Sequence, residues 1–252
     1  MMGEKIFLAG AAGAIGTALV PLLVDAGYEV YGSTRRQARA DKLESLGAVP
    51  VVVDVFDAQA LAAELMRIAP AVVIHQLTDL PQQLDPQAMA EAGQRNARVR
   101  NEGTRNLIAA ALAAGARHMI AQSIAWAYAN GKQPYMEESA LDVNAEGARR
   151  VSIDGVVALE TQVLQAPGLA GTVLRYGQLY GPGTWTMEAK GAGPVHVEAA
   201  AHAALLALQK EAVGVFNITE DNAEVSNAKA RRQLAWNPAF RSPRAAKNGA
   251  RS

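Results

Sequence analysis

The spacing of apolar positions changes along this chain in a regular way. Lys5–Ala9 is a short, almost continuous apolar run, whereas Ile15–Ala26 places its apolar residues at helical spacing and stops at Gly27, a residue suited to a helix C-terminus. Glu29–Ser33 reads as a second strand, Arg39–Leu46 as a helix closed by Gly47, and Pro50–Val53 as a β-branched strand leading into Asp54. Ala58–Ile68 is helical and Ala71–His75 extended; a long polar-faced helix then runs from about Ala88 to Ala114 and ends at Gly115. His118–Gln122, Ser152–Gln165 and Gly171–Tyr176 continue the series as strand, helix and strand. Strands rich in Val and Ile, each followed by a helix, predict an α/β fold whose doubly wound parallel sheet is covered on both faces. No internal repeat divides the chain. Residues 1–240 are expected to form a single domain, to which residues from about 177 add a small substrate lobe. The basic segment 241–252 lacks apolar anchors and is expected to be a disordered tail.

Composition narrows the function classes. The 252 residues are 50% hydrophobic and only 19% charged, enough for one large core. Lys+Arg and Asp+Glu both number 24, so no net field favours nucleic acid or an anionic membrane, and neither is expected as a partner. The absence of cysteine excludes a disulfide scaffold, a thiolate metal site and a cysteine nucleophile. His75, His118, His196 and His202 have no ligand spacing, so neither a metal site nor a Ser-His-Asp triad is inferred. The stretch Ile6–Val24 superficially matches a signal peptide, but its three glycines and Pro21 suit a buried strand running into a buried helix better, and the protein is read as cytoplasmic.

The motif with the clearest chemistry is "GAAGAIG". Gly10, Gly13 and Gly16 fall directly after the first strand and open the first helix, where backbone can approach a pyrophosphate and the helix N-terminus offers unpaired N–H groups. The spacing is G-x-x-G-x-x-G rather than the commoner G-x-G-x-x-G. The loop, with Ala12, Ala14 and Ile15, is therefore read as a dinucleotide site. The second strand ends in "GSTRR", without the carboxylate that usually receives a ribose 2′-OH; Thr34, Arg35 and Arg36 favour a 2′-phosphate, and so NADP(H) over NAD(H). Asp54 could accept from an adenine amino group or cap the next helix.

Together these segments resemble the extended short-chain dehydrogenase/reductase superfamily, in its NAD(P)-dependent epimerase/dehydratase branch. The likeness includes "VVIHQLTD" (72–79), "NEGTRNLIAAA" (101–111), "RYGQLYGPG" (175–183), "VHVEAAAHAALLAL" (195–208), "FNI" (216–218) and "ARRQLAWNP". It implies a Rossmann-type sheet with a reduced C-terminal substrate lobe. It also adds Val55, Gln76, Leu77, Thr78, Asn101, Gln122, Arg175 and Tyr176 to the expected cofactor contacts. Members of the superfamily use a Tyr-x-x-x-Lys pair on the helix before the "RYG" strand, with a Glu four residues after the lysine. Glu160 fits that place, which puts Val156 at the lysine position and Ser152 at the tyrosine position. A serine hydroxyl is far too weak an acid to replace an activated phenol. Ser123 matches the first serine of the family's strand-end pair, Ile124 the second, and Tyr128 a nearby position; Ser123, Tyr128 and Ser152 are the candidate proton donors. Arg149, Arg150 and Arg175 would suit an acidic substrate if they line a pocket. The resemblance implies an atypical NADP(H)-dependent oxidoreductase or epimerase/dehydratase-like enzyme acting on a small-molecule substrate, and a possible homodimer. The alternative is a non-catalytic NADP(H)-binding redox sensor.

Overall fold

The computed structural model describes residues 3–81, 86–191 and 193–243. Of the expected tail, 241–252, only residues 241–243 lie among the described residues. In chain order the elements are β1 (Lys5–Ala9), α1 (Ala14–Asp25), β2 (Glu29–Thr34), α2 (Ala40–Ser45), β3 (Val49–Val52), α3 (Ala58–Ile68), β4 (Val72–His75), α4 (Pro86–Arg98), α5 (Thr104–Ala113), β5 (His118–Ile124), α6 (Gly147–Gln165), β6 (Ala170–Tyr176), β7 (Leu179–Tyr180), β8 (Val195–His196), α7 (Val197–Gln209), β9 (Gly214–Ile218) and α8 (Ala228–Leu234). Seven parallel strands form one sheet in the order β3-β2-β1-β4-β5-β6-β9.

Burial explains the sequence pattern. Ile6, Phe7, Leu8, Val73 and Ile74 have no exposed surface because both faces of the central strands are covered. One face packs Ile6 and Leu8 against α1 and the alanine-rich α7; the other packs Phe7 and Val73 against α3, α5 and α6. Alanines along α7 let it approach closely, and the Trp236 indole N–H donates to Ala199 O at 2.8 Å, tying the chain after α8 to that helix. The stretch that superficially matched a signal peptide is β1 turning into α1.

Most boundaries agree with the sequence reading to within two residues, and two features differ more. The long helix is divided by a π-helical turn, Val99–Gly103, between α4 and α5. Such a turn adds a residue to the helical repeat and re-aims side chains, a local event that apolar periodicity does not register. Helix α6 begins at Gly147 rather than Ser152, because its first turn is polar and gives no amphipathic signal. Short β7 and β8 pair in parallel as a separate two-stranded sheet in the region expected to form the lobe.

Candidate active site

Chain direction reverses across the sheet between β1, which leads to β2 and β3, and β4, which leads the other way. In an open parallel sheet the crevice at the carboxyl ends of these two strands is the natural ligand site. The structure has a groove there, bordered by Gly10, Ala12 and Gly13 on one side and Gln76, Leu77 and Thr78 on the other. Gly10 has φ +84°, and a Cβ on it would lie 2.6 Å from Gln76 O. A Cβ at Gly16 would lie 2.4 Å from Gly10 O, so this position must be bare for α1 to start where it does. Gly13 is the N-cap of α1 and supplies no side-chain acceptor, which leaves the first N–H groups of the helix pointing outward without a protein side chain to cap them. The residues present therefore fit a pyrophosphate: small side chains, free amides and the positive end of a helix dipole.

The end of the groove beside β2 is cationic. Thr34, Arg35, Arg36 and also Arg39 border it, together with Asp54 and Val55. Arg39 escaped the sequence reading, although it lies three residues beyond Arg36 and begins the expected helix. Arg35 pairs with Asp79 at 3.3 Å across the groove, and the Thr34 Oγ1 accepts from Arg36 N at 3.2 Å. Asp54 does not cap α3; that role belongs to Asp57, which accepts from Ala60 N at 2.9 Å. Asp54 Oδ1 instead accepts from Phe56 N at 3.0 Å and holds the loop that follows β3.

Not every expected cofactor residue borders this groove. Ala14, Ile15 and Gly16 lie inside the first turn of α1, and Asn101 is an exposed residue of the π-turn whose carbonyl accepts from Gln162 Nε2 at 3.2 Å. Gln122 lies within β5, half-buried. Arg175 is committed elsewhere: its Nε and a second guanidinium nitrogen reach the two oxygens of Glu160 at 2.9 and 2.6 Å. Tyr176 Oη and both side-chain polar atoms of Gln76 are buried without hydrogen-bond partners. Tyr176 lies close enough to Gln76 to feel its dipole, yet without hydrogen-bond geometry, and burial pushes its hydroxyl pKa up. Orphan polar groups cost about 1–3 kcal/mol each, a strain that gathers at ligand sites.

The candidate acids are brought together in part, and in an unexpected form. Ser123 Oγ donates to Glu160 Oε1 at 2.7 Å, and Tyr128 Oη donates to Asn217 Oδ1 at 2.6 Å while accepting from Arg175 at 2.9 Å. Asn217 N donates in turn to Glu137 Oε1 at 2.9 Å. Glu160, Arg175, Ser123 and Tyr128 are all buried, so this is an internal network. Burial raises the Tyr128 pKa despite Arg175 beside it. Burial opposes the Arg175 charge too, but its bonds to Glu160 prevail and its pKa rises. Both candidate hydroxyl protons thus point at protein acceptors.

Ser152 stands apart from that network, accepting through Oγ and its carbonyl from Arg100 at 3.2 and 3.3 Å. Val156 has no exposed surface and packs with Ile124, Ala127 and Ile153 in a small apolar cluster. Helix α6 carries neither tyrosine nor lysine. At the end of β4, His75 accepts from Leu77 N at 3.2 Å through Nδ1 and faces Thr104 Oγ1 at 3.2 Å. Burial, with the Arg100 charge adding to it, pulls the His75 pKa down to about 4, so it is neutral near pH 7. Arg149 and Arg150 each have a carboxylate partner: Arg149 pairs with Asp142 at 2.6 Å and Arg150 with Asp154 at 2.7 Å. Among the described residues no cluster of His, Asp and Glu suits a metal ion, and no helix is long and apolar enough to cross a membrane.

Comparison with known proteins agrees with this geometry. Residues 10–209 match the family described as NAD(P)H-binding. A 3-diazoavenalumate denitrifying reductase from a Streptomyces species is 37% identical over 239 residues, covering 86% of this chain and 76% of that protein. The UDP-glucose-4-epimerase of Stenotrophomonas maltophila, solved with NAD and a formylated UDP-arabinopyranose, superposes with a TM-score of 0.77 at 16% identity, covering 94% of each chain. The UDP-Glc/GlcNAc 4-epimerase of Campylobacter jejuni gives a TM-score of 0.77 at 17% identity over 95% of each chain. At such identities the epimerases share the fold alone.

Proposed function

The chain belongs to the NAD(P)H-binding family, with an extended short-chain dehydrogenase/reductase fold, and from that premise we propose that it is an NADP(H)-dependent reductase of a small aryl acid. The observation that carries the cofactor choice is the groove: an uncapped α1 N-terminus at one end, and Arg35, Arg36 and Arg39 at the other with no carboxylate closing β2. Arginines recognise a 2′-phosphate through forked, charge-assisted bonds, where a ribose hydroxyl would call for Asp or Glu.

The reaction class follows from what α6 lacks. A carbonyl reduction needs an acid beside the substrate, and Ser123, Tyr128 and Ser152 make poor ones, for the reasons of bonding and acidity given above. When bound, NADP(H) supplies a hydride, and with an aryl diazonium acceptor a C–H bond forms while the C–N bond breaks and N2 leaves, consuming no proton. The named activity of the Streptomyces reductase is of this denitrifying kind. In this reading the glycine loop and arginines hold and orient, neutral His75 braces the backbone after β4, and the cluster of Ile124 and Val156 keeps water from a reactive electrophile. Ser123 and Tyr128 are positioning residues within the Glu160–Arg175 network.

That same apolar cluster, standing where a proton donor was expected, favours one other reading, a redox sensor that binds NADP(H) without turnover. The test is NADPH consumption, followed by absorbance, with a diazotised aminocinnamate beside a panel of aryl aldehydes. Consumption above the enzyme-free rate with the diazonium alone supports the proposal. Turnover of aldehydes would restore a proton donor to the site, and tight NADPH binding without consumption would favour the sensor.

A further inference from the structure

Most arginines beside the site have a carboxylate partner: Arg149 has Asp142, Arg150 has Asp154, Arg175 has Glu160 and Arg98 has Glu102. Arg100 does not. Among the described residues no carboxylate lies within ion-pair distance of it, and its guanidinium donates only to the carbonyl and hydroxyl of Ser152. Its position is built by two features of the fold. The π-turn Val99–Gly103 turns residue 100 towards α6, while Val99 beside it borders the cofactor groove. On α6, Gly155 lets α4 and the stem of Arg100 pack closely, since a Cβ there would lie 3.4 Å from Arg100 Cδ and 3.0 Å from the Ala97 Cα. π-Turns inside helices recur at functional sites.

A half-buried cation held by two neutral oxygens retains unused donor capacity, since a guanidinium has five N–H groups in a fork that matches a carboxylate. Burial draws its pKa down to about 10, which still leaves it charged near neutrality. It is no useful proton donor there. Its charge acts on His75 at the end of β4 and is itself favoured by Glu160 of the buried network. Resting on the reductase reading above, we propose that Arg100 is the anion anchor of the substrate site, taking the carboxylate of a small aryl acid while Ser152 holds the guanidinium in place. The acidic-substrate expectation thereby moves from Arg149, Arg150 and Arg175, which are neutralised, to Arg100.

The experiment is calorimetric titration of the NADP+-loaded protein with 4-hydroxycinnamate and with its neutral amide, for wild type, Arg100→Gln and Arg100→Lys. NADPH affinity and thermal midpoint are measured for each variant. The acid is expected to bind Arg100→Gln at least tenfold more weakly than wild type, with Arg100→Lys between them. The amide should bind all three within twofold, with NADPH affinity unchanged. Equal weakening for acid and amide, loss of NADPH affinity in the variants, or failure of wild type to prefer the acid at millimolar concentration would each overturn the anchor. Wild type that fails to bind NADPH at all would overturn the reductase reading beneath it. Should Arg100→Gln not fold, the acid-to-amide preference of Arg100→Lys decides the matter, a twofold or smaller change from wild type refuting the role.

Discussion

Removing the Glu160 carboxylate tests whether the buried network holds the fold or serves the chemistry. In Glu160→Leu the Arg175 guanidinium loses bonds of 2.9 and 2.6 Å and keeps only Tyr128 Oη and the Glu137 carbonyl, at 2.9 and 3.0 Å. Ser123 Oγ loses its acceptor as well. Both charged side chains are almost fully enclosed, with 5% and 6% of their surface exposed, so little solvent screens the orphaned cation. Breaking such a pair from one side costs about 3–5 kcal/mol, a large share of a typical stability of about 5–15 kcal/mol. At roughly 2–4 °C per kcal/mol for a chain of this size, the thermal midpoint should fall by about 6–20 °C. Arg175→Leu should cost a similar amount, whereas the double variant Glu160→Leu/Arg175→Leu should lose much less than the two single losses combined, because neither charge is then stranded. Urea denaturation followed by circular dichroism at pH 7.5 gives all three values. Singles that cost under about 1 kcal/mol, or an additive double variant, would refute the reasoning. If folded Arg175→Leu also binds NADPH distinctly more weakly, Arg175 belongs to the cofactor site as its sequence motif first implied.

Two further outcomes follow from the groove and from His75. Replacing Arg35, Arg36 and Arg39 together with alanine should weaken NADPH binding by tenfold or more, about 1.4 kcal/mol, and leave NADH within twofold; equal loss for both cofactors would remove the 2′-phosphate assignment. His75 binds a proton in the unfolded chain near pH 6.5 but in the fold only near pH 4, so its contribution is complete above pH 6.5 and is lost as pH falls towards 4. Between pH 7.5 and 5 wild type should therefore lose about 2 kcal/mol more than His75→Gln, measured by urea denaturation. Comparing the two chains cancels the other histidines, whose pKa values burial also lowers. A slope equal in both chains would show that His75 already titrates normally.

The parts of this molecule that depend on local chemistry were legible from residue order. Continuous apolar runs gave the parallel strands, and the glycine spacing gave the α1 loop, because both follow from backbone sterics and burial within a few residues. The arginines after β2 were legible for the same reason, apart from Arg39. What escaped was long-range. Tyr128 and Asn217 are 89 residues apart, and Ser123 and Glu160 are 37 apart, so nothing local marks their hydroxyl protons as spoken for. Arg100 was invisible because a π-turn shifts the helical register that any face assignment assumes. The family pattern drew attention to Glu160, yet its partner, Arg175, became evident only when β6 was seen beside α6.

The central claim is direct hydride delivery without an enzyme-borne proton, and isotope transfer tests it. The protein is given NADPH carrying deuterium at the transferring C4 position and a diazotised aminocinnamate, and the arene product is analysed by mass spectrometry and NMR against an enzyme-free control. The account predicts one deuterium on the ring carbon that held nitrogen, N2 released in equal amount, and no label taken up when unlabelled NADPH is used in D2O. Label arriving from solvent, or no product above the control from a protein that binds NADPH tightly, would contradict it.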